Sequence, residues 1–392
     1  MTDAPAIKVT VITPNPTPYR APFFRELARR RDVALTVLFL TKGSPSRPWN
    51  VELGGFDHEF LGEWSLPVGG KDGARYRINP SVISRLRLQQ PDVVAIAGYN
   101  HFTTQAAILY CIATGTPWCL MSESHIAKPR GAVRMFAKKL LLGPILRTMG
   151  AAMVTGTLAR RYVESFGVPG EAIFVVANTP DVAYFMAEAE RLAPERGRIR
   201  RDLAIADKKA ILFVGRLLDE KGLAVLLEAY EMAAAKRGDL AMLVVGDGVR
   251  RARYEEIVRE KGLRDVHFLG FKAQGELPEI YSAADVFCLP SLVEPWGVVV
   301  NEAMASGLAV VVSDQVGASA DLVSEGHNGF VVPVGDAAAL SERLVEVLSS
   351  DERRLEMGRK SREMISHWDY AASVRGFVDA ANCAMRRKGR KK

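Results

Sequence analysis

Short runs of β-branched and aliphatic residues alternate along the chain with longer stretches whose apolar side chains recur every three or four positions. The short runs predict strands at residues 7–12, 34–39, 93–97, 118–121, 151–154, 210–214, 241–245, 286–289 and 309–313. Their apolar character is nearly unbroken, so both faces of each strand need cover. Strands that alternate with helical patterns mark parallel sheets flanked by helices, and the expected class is α/β.

Between the run at residues 173–176 and the one that starts at Ala210, residues 184–209 are charged, contain Pro194 and Gly197, and have little strand character. The domain boundary is expected there, giving a first domain of residues 1–183 and a second of 184–367. Beyond it, His367, Trp368 and Tyr370 open a segment in which Val374, Phe377, Val378 and Ala381 recur at helical spacing.

A length of 392 residues allows roughly two or three domains, and 48% apolar with 25% charged residues excludes a disordered or collagen-like chain. The net charge is +7, but six of the positive residues fall within positions 386–392. Basic character is thus a tail and a patch, and no specific nucleic-acid binding is expected. Cys111, Cys119, Cys288 and Cys383 show no CxxC spacing and the six histidines form no metal-binding pair, which points to a reduced, cytosolic chain. No secretory leader is expected in the acidic start before Lys8. The oiliest window, residues 140–159, is broken by Gly143, Pro144, Arg147 and Gly150, too polar for about twenty residues in lipid.

Candidate chemistry is concentrated in the second half. In Phe213-Val214-Gly215-Arg216-Leu217-Leu218-Asp219-Glu220-Lys221-Gly222 a strand ends in glycine, then presents Arg216 and Lys221 before a helix begins. Ligands of open parallel sheets sit at the carboxyl ends of the strands, where both cations would suit a diphosphate. Arginine forks onto two oxygens and lysine supplies a point charge, each charge-assisted hydrogen bond contributing about 1.5 to 3 kcal/mol. On these residues alone, a solvated turn with Lys221 beside Asp219 and Glu220 is the alternative.

Gly246-Asp247-Gly248 repeats the strand-then-glycine theme, which allows close backbone approach to a ligand, but lacks the third glycine of a dinucleotide fingerprint. Further on, Glu294-Pro295-Trp296-Gly297-Val298-Val299-Val300-Asn301-Glu302 lies between two predicted strands. Gly297 falls at a helix start, so free amides of Val298 and Val299 would favour a phosphate. Glu294 and Glu302 beside it can accept hydrogen bonds from vicinal hydroxyls, and a nucleotide sugar carries both groups.

Together, Gly215-Arg216 with Lys221-Gly222, Gly246-Asp247-Gly248, the Glu294 and Glu302 pair and Gly326-His327-Asn328-Gly329-Phe330 resemble retaining glycosyltransferases of the GT-B fold, family 4. The likeness is strong over about residues 211–333 and weaker in the first half, where the order of elements agrees. It implies two Rossmann-like domains with parallel sheets facing across a cleft, and residues 368–392 returning to the N-terminal domain as a helix and tail. It further implies Arg216 and Lys221 on the donor diphosphate, Glu302 on the ribose and Glu294 on the donor sugar. Gly215, Gly246, Gly248, Gly297, Val298 and Val299 would line the donor, with residues 266–271, ending in Phe271, around the base.

After the first strand this family often carries a glycine-rich loop, whereas this chain has Thr13-Pro14-Asn15-Pro16-Thr17-Pro18-Tyr19-Arg20-Ala21-Pro22. The loop resembles the P-T-P-Y-R variant of bacterial surface-polysaccharide glycosyltransferases. Its prolines stiffen it and leave Tyr19 and Arg20 beside the next helix, with Arg20 either replacing the glycine amides at phosphate or reading the acceptor. His125 is similar to the family's N-domain histidine that faces the donor sugar. A satisfied loop histidine is the alternative, and His101 is the runner-up.

Residues 124–163 carry eight basic residues and no acid. Arg130, Arg134 and Lys138 fall on one helical row, opposite Val133, Phe136 and Leu140. Such a helix either docks on an anionic membrane surface or packs its oily face on the sheet.

The expectation is therefore an enzyme that moves a hexose, with retention, from a nucleoside diphosphate sugar to a hydroxyl of a lipid-linked saccharide in polysaccharide or glycolipid biosynthesis. It would work in the cytoplasm, peripherally on the inner face of the plasma membrane, with no metal and no cofactor. The family mechanism is front-face, the leaving phosphate helping to deprotonate the acceptor. A soluble sugar or sugar phosphate as acceptor is one alternative, and a noncatalytic nucleotide-sugar-binding scaffold is another.

Overall fold

The structure is a computed structural model and describes residues 5–43, 51–62, 64–67, 75–126 and 131–389. Two compact units are formed, Met1–Asn178 with Tyr370–Lys392, and Thr179–Asp369.

In the first unit β1 (Ile7–Thr13), β2 (Val33–Phe39) and β3 (Asp57–Phe60) precede a short antiparallel pair, β4 (Trp64–Pro67) and β5 (Arg75–Ile78). Then come β6 (Val93–Ala97), β7 (Trp118–Ser122), β8 (Ala151–Val154) and β9 (Ile173–Val175). Seven of these make one parallel sheet in the order β3-β2-β1-β6-β7-β8-β9.

The second unit holds β10 (Lys209–Val214), β11 (Leu240–Val245), β12 (Val266–Gly270), β13 (Val286–Leu289), β14 (Ala309–Ser313) and β15 (Gly329–Val332). They form a parallel sheet in the order β12-β11-β10-β13-β14-β15. In both sheets the strand order reverses beside the first strand, at β1 and β6 and at β10 and β13. Open α/β sheets bind ligands outside the carboxyl ends of the strands at such a switch point.

Each strand predicted from an apolar run is present within one residue at either end. β7, β8, β11, β13 and β14 are buried along their whole length. The predicted terminal helix is Tyr370–Gly389, with Val374, Phe377, Val378 and Ala381 buried in the first unit and the Phe377 ring edge-on to Phe23 at 5.9 Å.

Residues 184–209 lie in the second unit, largely in helices Val182–Leu192 and Arg196–Asp202, and the chain crosses between Asn178 and Thr179, a few residues before the expected boundary. Their charge is paired with the strand layer. Arg196 and Arg200 lie 2.8 and 3.0 Å from the Asp285 carboxylate, which also meets Arg354 at 3.4 Å and accepts the Ala210 amide at 2.8 Å.

Helix Ala132–Leu146 divides between its two readings: Leu146 is buried and Met135, Leu142 and Ile145 pack against the first unit's core, whereas Val133, Phe136, Leu140 and Leu141 are 83, 71, 67 and 71% exposed. Lys138 turns the other way, its ammonium 5.1 Å from the Tyr99 ring centroid and 5.6 Å from that of Tyr162. Arg130, the side chains of Arg134 and Lys388, and residues 390–392 of the basic tail lie outside the described residues. Among those described, no helix is long and apolar enough to cross a membrane.

Asp285 is 2% exposed, and burial opposes its ionisation, but the Ala210 amide and Arg354, Arg196 and Arg200 outweigh this and hold its carboxyl below the usual range. A depressed carboxyl stabilises the fold above its ordinary value, about pH 4, and that stability is lost as pH falls through the folded value. Asp285→Ala should cost about 3–5 kcal/mol at neutral pH, because the arginines lose their shared anion. Urea unfolding from pH 3 to 7 checks this, the gap between wild type and variant closing at the acid end.

Candidate active site

The second unit's carboxyl-end loops are joined by backbone. The Gly215 amide donates to the Val245 carbonyl at 3.0 Å and the Gly246 amide to the Gly270 carbonyl at 2.8 Å, which ties the ends of β10, β11 and β12. Gly246 has φ +127°, and a Cβ there would fall 1.9 Å from the Gly215 carbonyl oxygen. A Cβ on Gly248 would fall 2.6 Å from that of Leu217. The room these glycines leave is filled by neighbouring backbone, a reason for glycine different from the ligand approach expected of them.

After β10, Arg216 is part-exposed and its guanidinium meets Glu220 at 3.1 Å. Lys221 is 14% exposed and its ammonium donates to the Glu294 carboxylate, itself 12% exposed, from the loop after β13. The same two loops are joined where the Leu292 amide donates to the Glu220 carbonyl at 2.8 Å. The ion pair thus spans β10 and β13, the strands that flank the switch point.

Gly297 caps helix Val298–Ala305 in the left-handed region, φ +96°. The amides of Val298 and Val299 have no protein acceptor among the described residues and lie at the positive end of the helix dipole. One turn on, the buried carboxylate of Glu302 accepts the Tyr281 hydroxyl at 2.8 Å. Burial pushes the Glu302 carboxyl up to about 7, against the Tyr281 hydrogen bond, which lowers it. Phe271 is exposed just beyond β12.

In the first unit, Arg20 is held by protein partners. Its guanidinium donates to Thr13 Oγ1 at 3.0 Å and Asn178 Oδ1 at 3.4 Å and pairs with Glu123, which also accepts Asn178 Nδ2 at 3.0 Å. Tyr19 and Arg20 border a cavity of about 20 Å³ at the carboxyl ends of the strands, together with Ser122, Glu123, Thr155 and Asn178. A larger cavity, about 340 Å³, opens at the opposite end of the sheet beside Trp118 and contains no candidate residue. His125 is buried in the loop after β7, where the Ile126 amide donates to the Leu158 carbonyl at 3.2 Å.

Sequence reasoning passed over Tyr281, Glu123 and Asn178. Glu123 stood in view inside Ser122-Glu123-Ser124-His125, whereas nothing in the local pattern singled out Tyr281 or Asn178.

Residues 195–364 match the family described as glycosyl transferases group 1. The second unit carries a group 1 glycosyltransferase domain. The D-inositol 3-phosphate glycosyltransferase of Corynebacterium kroppenstedtii is 32% identical over 226 residues, 55% of this chain and 49% of that protein. The phosphatidyl-myo-inositol mannosyltransferase of Mycolicibacterium smegmatis is 32% identical over 299 residues, 75% of this chain and 66% of that protein. The chain spans about half the length of the first three such relatives, 49, 50 and 53%.

Among solved structures, Anabaena Alr3699/HepE in complex with UDP and glucose has TM-score 0.71 at 17% identity, over 95% of this chain and 98% of that one. WaaG, a glycosyltransferase involved in lipopolysaccharide biosynthesis, has TM-score 0.67 at 16% identity over the same shares. At such identities the likeness is one of fold, and the fold is GT-B, with a Rossmann-like sheet in each unit and a helical C-terminus.

Within the glycosyltransferase domain, Glu302 gives a pH signature. A carboxyl raised to about 7 in the fold favours the protonated chain, so its contribution is full below the ordinary value and lost as pH rises through about 7. Glu302→Gln, whose amide oxygen still accepts from Tyr281, should therefore gain on wild type by on the order of 3 kcal/mol between pH 5 and 8. Denaturant unfolding across that range checks it; parallel curves for the two proteins would contradict a buried carboxyl with a raised pKa.

Proposed function

We propose that the chain transfers a hexose, with retention of configuration, from a nucleoside diphosphate sugar to a hydroxyl of a lipid-linked saccharide, as family 4 enzymes of polysaccharide or glycolipid biosynthesis do. One observation carries this reading: Lys221 and Glu294 pair across the switch point of a group 1 glycosyltransferase domain, three residues before the amides of Gly297 to Val299 begin.

In this reading Arg216 and Lys221 hold the diphosphate with the Val298 and Val299 amides, and Glu302 accepts from the ribose. Phe271 meets the base, with Gly215, Gly246 and Gly248 keeping the adjoining turns close. Glu294 takes sugar hydroxyls once the diphosphate has drawn Lys221 away. The bond from sugar C1 to the diphosphate oxygen breaks, the acceptor oxygen bonds to C1 on the same face, and its proton passes to the departing phosphate. Charge growing on the leaving group is met by the two cations, so neither a divalent metal nor a cofactor is invoked. From the first unit, His125 is assigned to the donor sugar and Tyr19 with Arg20 to the acceptor side.

A neighbour solved with UDP and glucose supports the donor class. The exposed apolar row of helix Ala132–Leu146, in a stretch with basic and no acidic residues, supports an acceptor carried by an anionic membrane surface, as does a relative named for phosphatidyl-myo-inositol. The relatives named for D-inositol 3-phosphate favour a second reading, a soluble sugar phosphate acceptor.

A panel of UDP, GDP and ADP sugars should contain one that raises the melting temperature, by about 2.7 kcal/mol of stabilisation at a hundred times its Kd. With that donor, Glu294→Gln should lower turnover about 100-fold or more, with some loss of melting temperature, since the amide still accepts from Lys221 but no longer neutralises it. Lys221→Ala should lose turnover likewise, and some stability, because Glu294 is left without its cation. Near-normal turnover in both variants would remove these roles. Sedimentation with vesicles separates the acceptors: docking on anionic vesicles that fades with salt and with Phe136→Ser/Leu140→Ser supports the lipid-linked one, and no docking favours the soluble one.

A further inference from the structure

Within the second unit the rings of Trp296 and Trp368 lie against each other in a tilted stack, with centroids 5.4 Å apart and planes inclined by 32°. The Trp368 carbonyl accepts the Thr179 hydroxyl at 2.6 Å. Thr179 is the first residue of this unit and Asp369 the last, so the points where the chain enters and leaves it are stapled together. At the other side of the stack, the Trp296 indole N–H donates to Asn301 Oδ1 at 3.1 Å, and Asn301 immediately precedes Glu302.

The loop around Trp296 is clamped as well. Its carbonyl accepts the Ala318 amide at 2.9 Å, and the Glu294 carbonyl accepts the Gly317 amide at 2.9 Å. A Cβ on Gly317 would fall 1.9 Å from the Pro295 carbonyl oxygen, so the two loops touch backbone to backbone. Trp296 is 2% exposed, and a close-packed side chain of that size does not shift without moving its neighbours.

We propose that the stack of Trp296 on Trp368 couples the loop carrying Glu294 to the two chain crossovers, which makes Trp368 a positioning residue acting through Trp296. A ligand changes the order of a segment only through contacts that differ between the free and the bound chain. A diphosphate that exchanges Lys221 away from Glu294 supplies one, and Trp296, two residues along, transmits it. Coupling is reciprocal, so a disturbed stack weakens nucleotide affinity. The inference rests on the donor reading of the same loop.

Hydrogen exchange at residues 179–184 and 366–370, followed with UDP, GDP and ADP, tests it. The nucleotide that binds slows exchange at both segments in wild type and in Trp368→Phe, which keeps an aromatic ring. In Trp368→Ala the slowing is lost and nucleotide Kd rises about tenfold. If that variant fails to fold, Thr179→Val removes only the hydroxyl staple and serves the same comparison. Equal slowing in Trp368→Ala and wild type, or nucleotide binding with unaltered exchange in wild type, overturns the coupling and leaves the donor reading standing. Failure of all three nucleotides to bind overturns the donor reading and the coupling with it.

Discussion

The ammonium of Lys221 and the carboxylate of Glu294 meet between loops that follow adjacent strands, and the chain around them has little freedom. Gly222 sits so close to the loop after β13 that a Cβ would fall 2.0 Å from the Pro290 carbonyl oxygen, while the Leu292 and Val293 amides reach Glu220 at 2.8 and 3.3 Å. Two largely covered charges in such a frame stabilise each other, and removing either strands the other in a poorly solvated place. An incoming anion of two phosphates is a ligand suited to open the pair, because it replaces the carboxylate as partner of Lys221 and frees that carboxylate for hydroxyls. Local order and proposed chemistry thus draw on one interaction.

The two ends of the second sheet handle charge in opposite ways. At the amino end, before β13, Asp285 is surrounded by an amide and three arginines, a closed set whose use is stability. At the carboxyl end, Arg216 is part-exposed with one acid, Glu302 has a phenol and no cation, and two helix amides have no acceptor among the described residues. Incomplete satisfaction is costly in a core, and it is tolerated where a ligand completes the set.

The sequence was legible where one physical constraint dominates. Strands covered on both faces must be apolar throughout, so β7, β8 and β11 stand out, whereas β3, with Asp57, His58 and Glu59, and the half-exposed β12 have no unbroken run to show. Residues 184–209 show charge and no strand pattern, and nothing local in them reveals that Arg196 and Arg200 reach a buried acid some 85 residues away or more. The candidate site was legible as residue types and spacing, Arg216 with Lys221 and Glu294 with Glu302. Its pairings were not: Lys221 with Glu294 and Arg20 with Glu123 join positions 73 and 103 residues apart, and local pattern carries no record of such contacts. The exposed row of Val133, Phe136 and Leu140 shows the same limit, since helical spacing reveals that a face exists and leaves open what covers it.

Glu294 and Glu302 are eight residues apart, yet their surroundings assign them different chemistry. Glu294 has the Lys221 ammonium as its partner, and its oxygens are freed for hydroxyls whenever Lys221 is drawn elsewhere. Glu302 meets the Tyr281 hydroxyl and, among the described residues, no cation, and burial pushes its carboxyl up to about 7. A pair of sugar hydroxyls hydrogen-bonds more strongly to the ionised form, so taking up such a diol at Glu302 expels a proton when the pH lies below about 7. Of the two acids, the one proposed for the ribose therefore makes donor uptake sensitive to pH, and the one proposed for the hexose makes it sensitive to the state of Lys221.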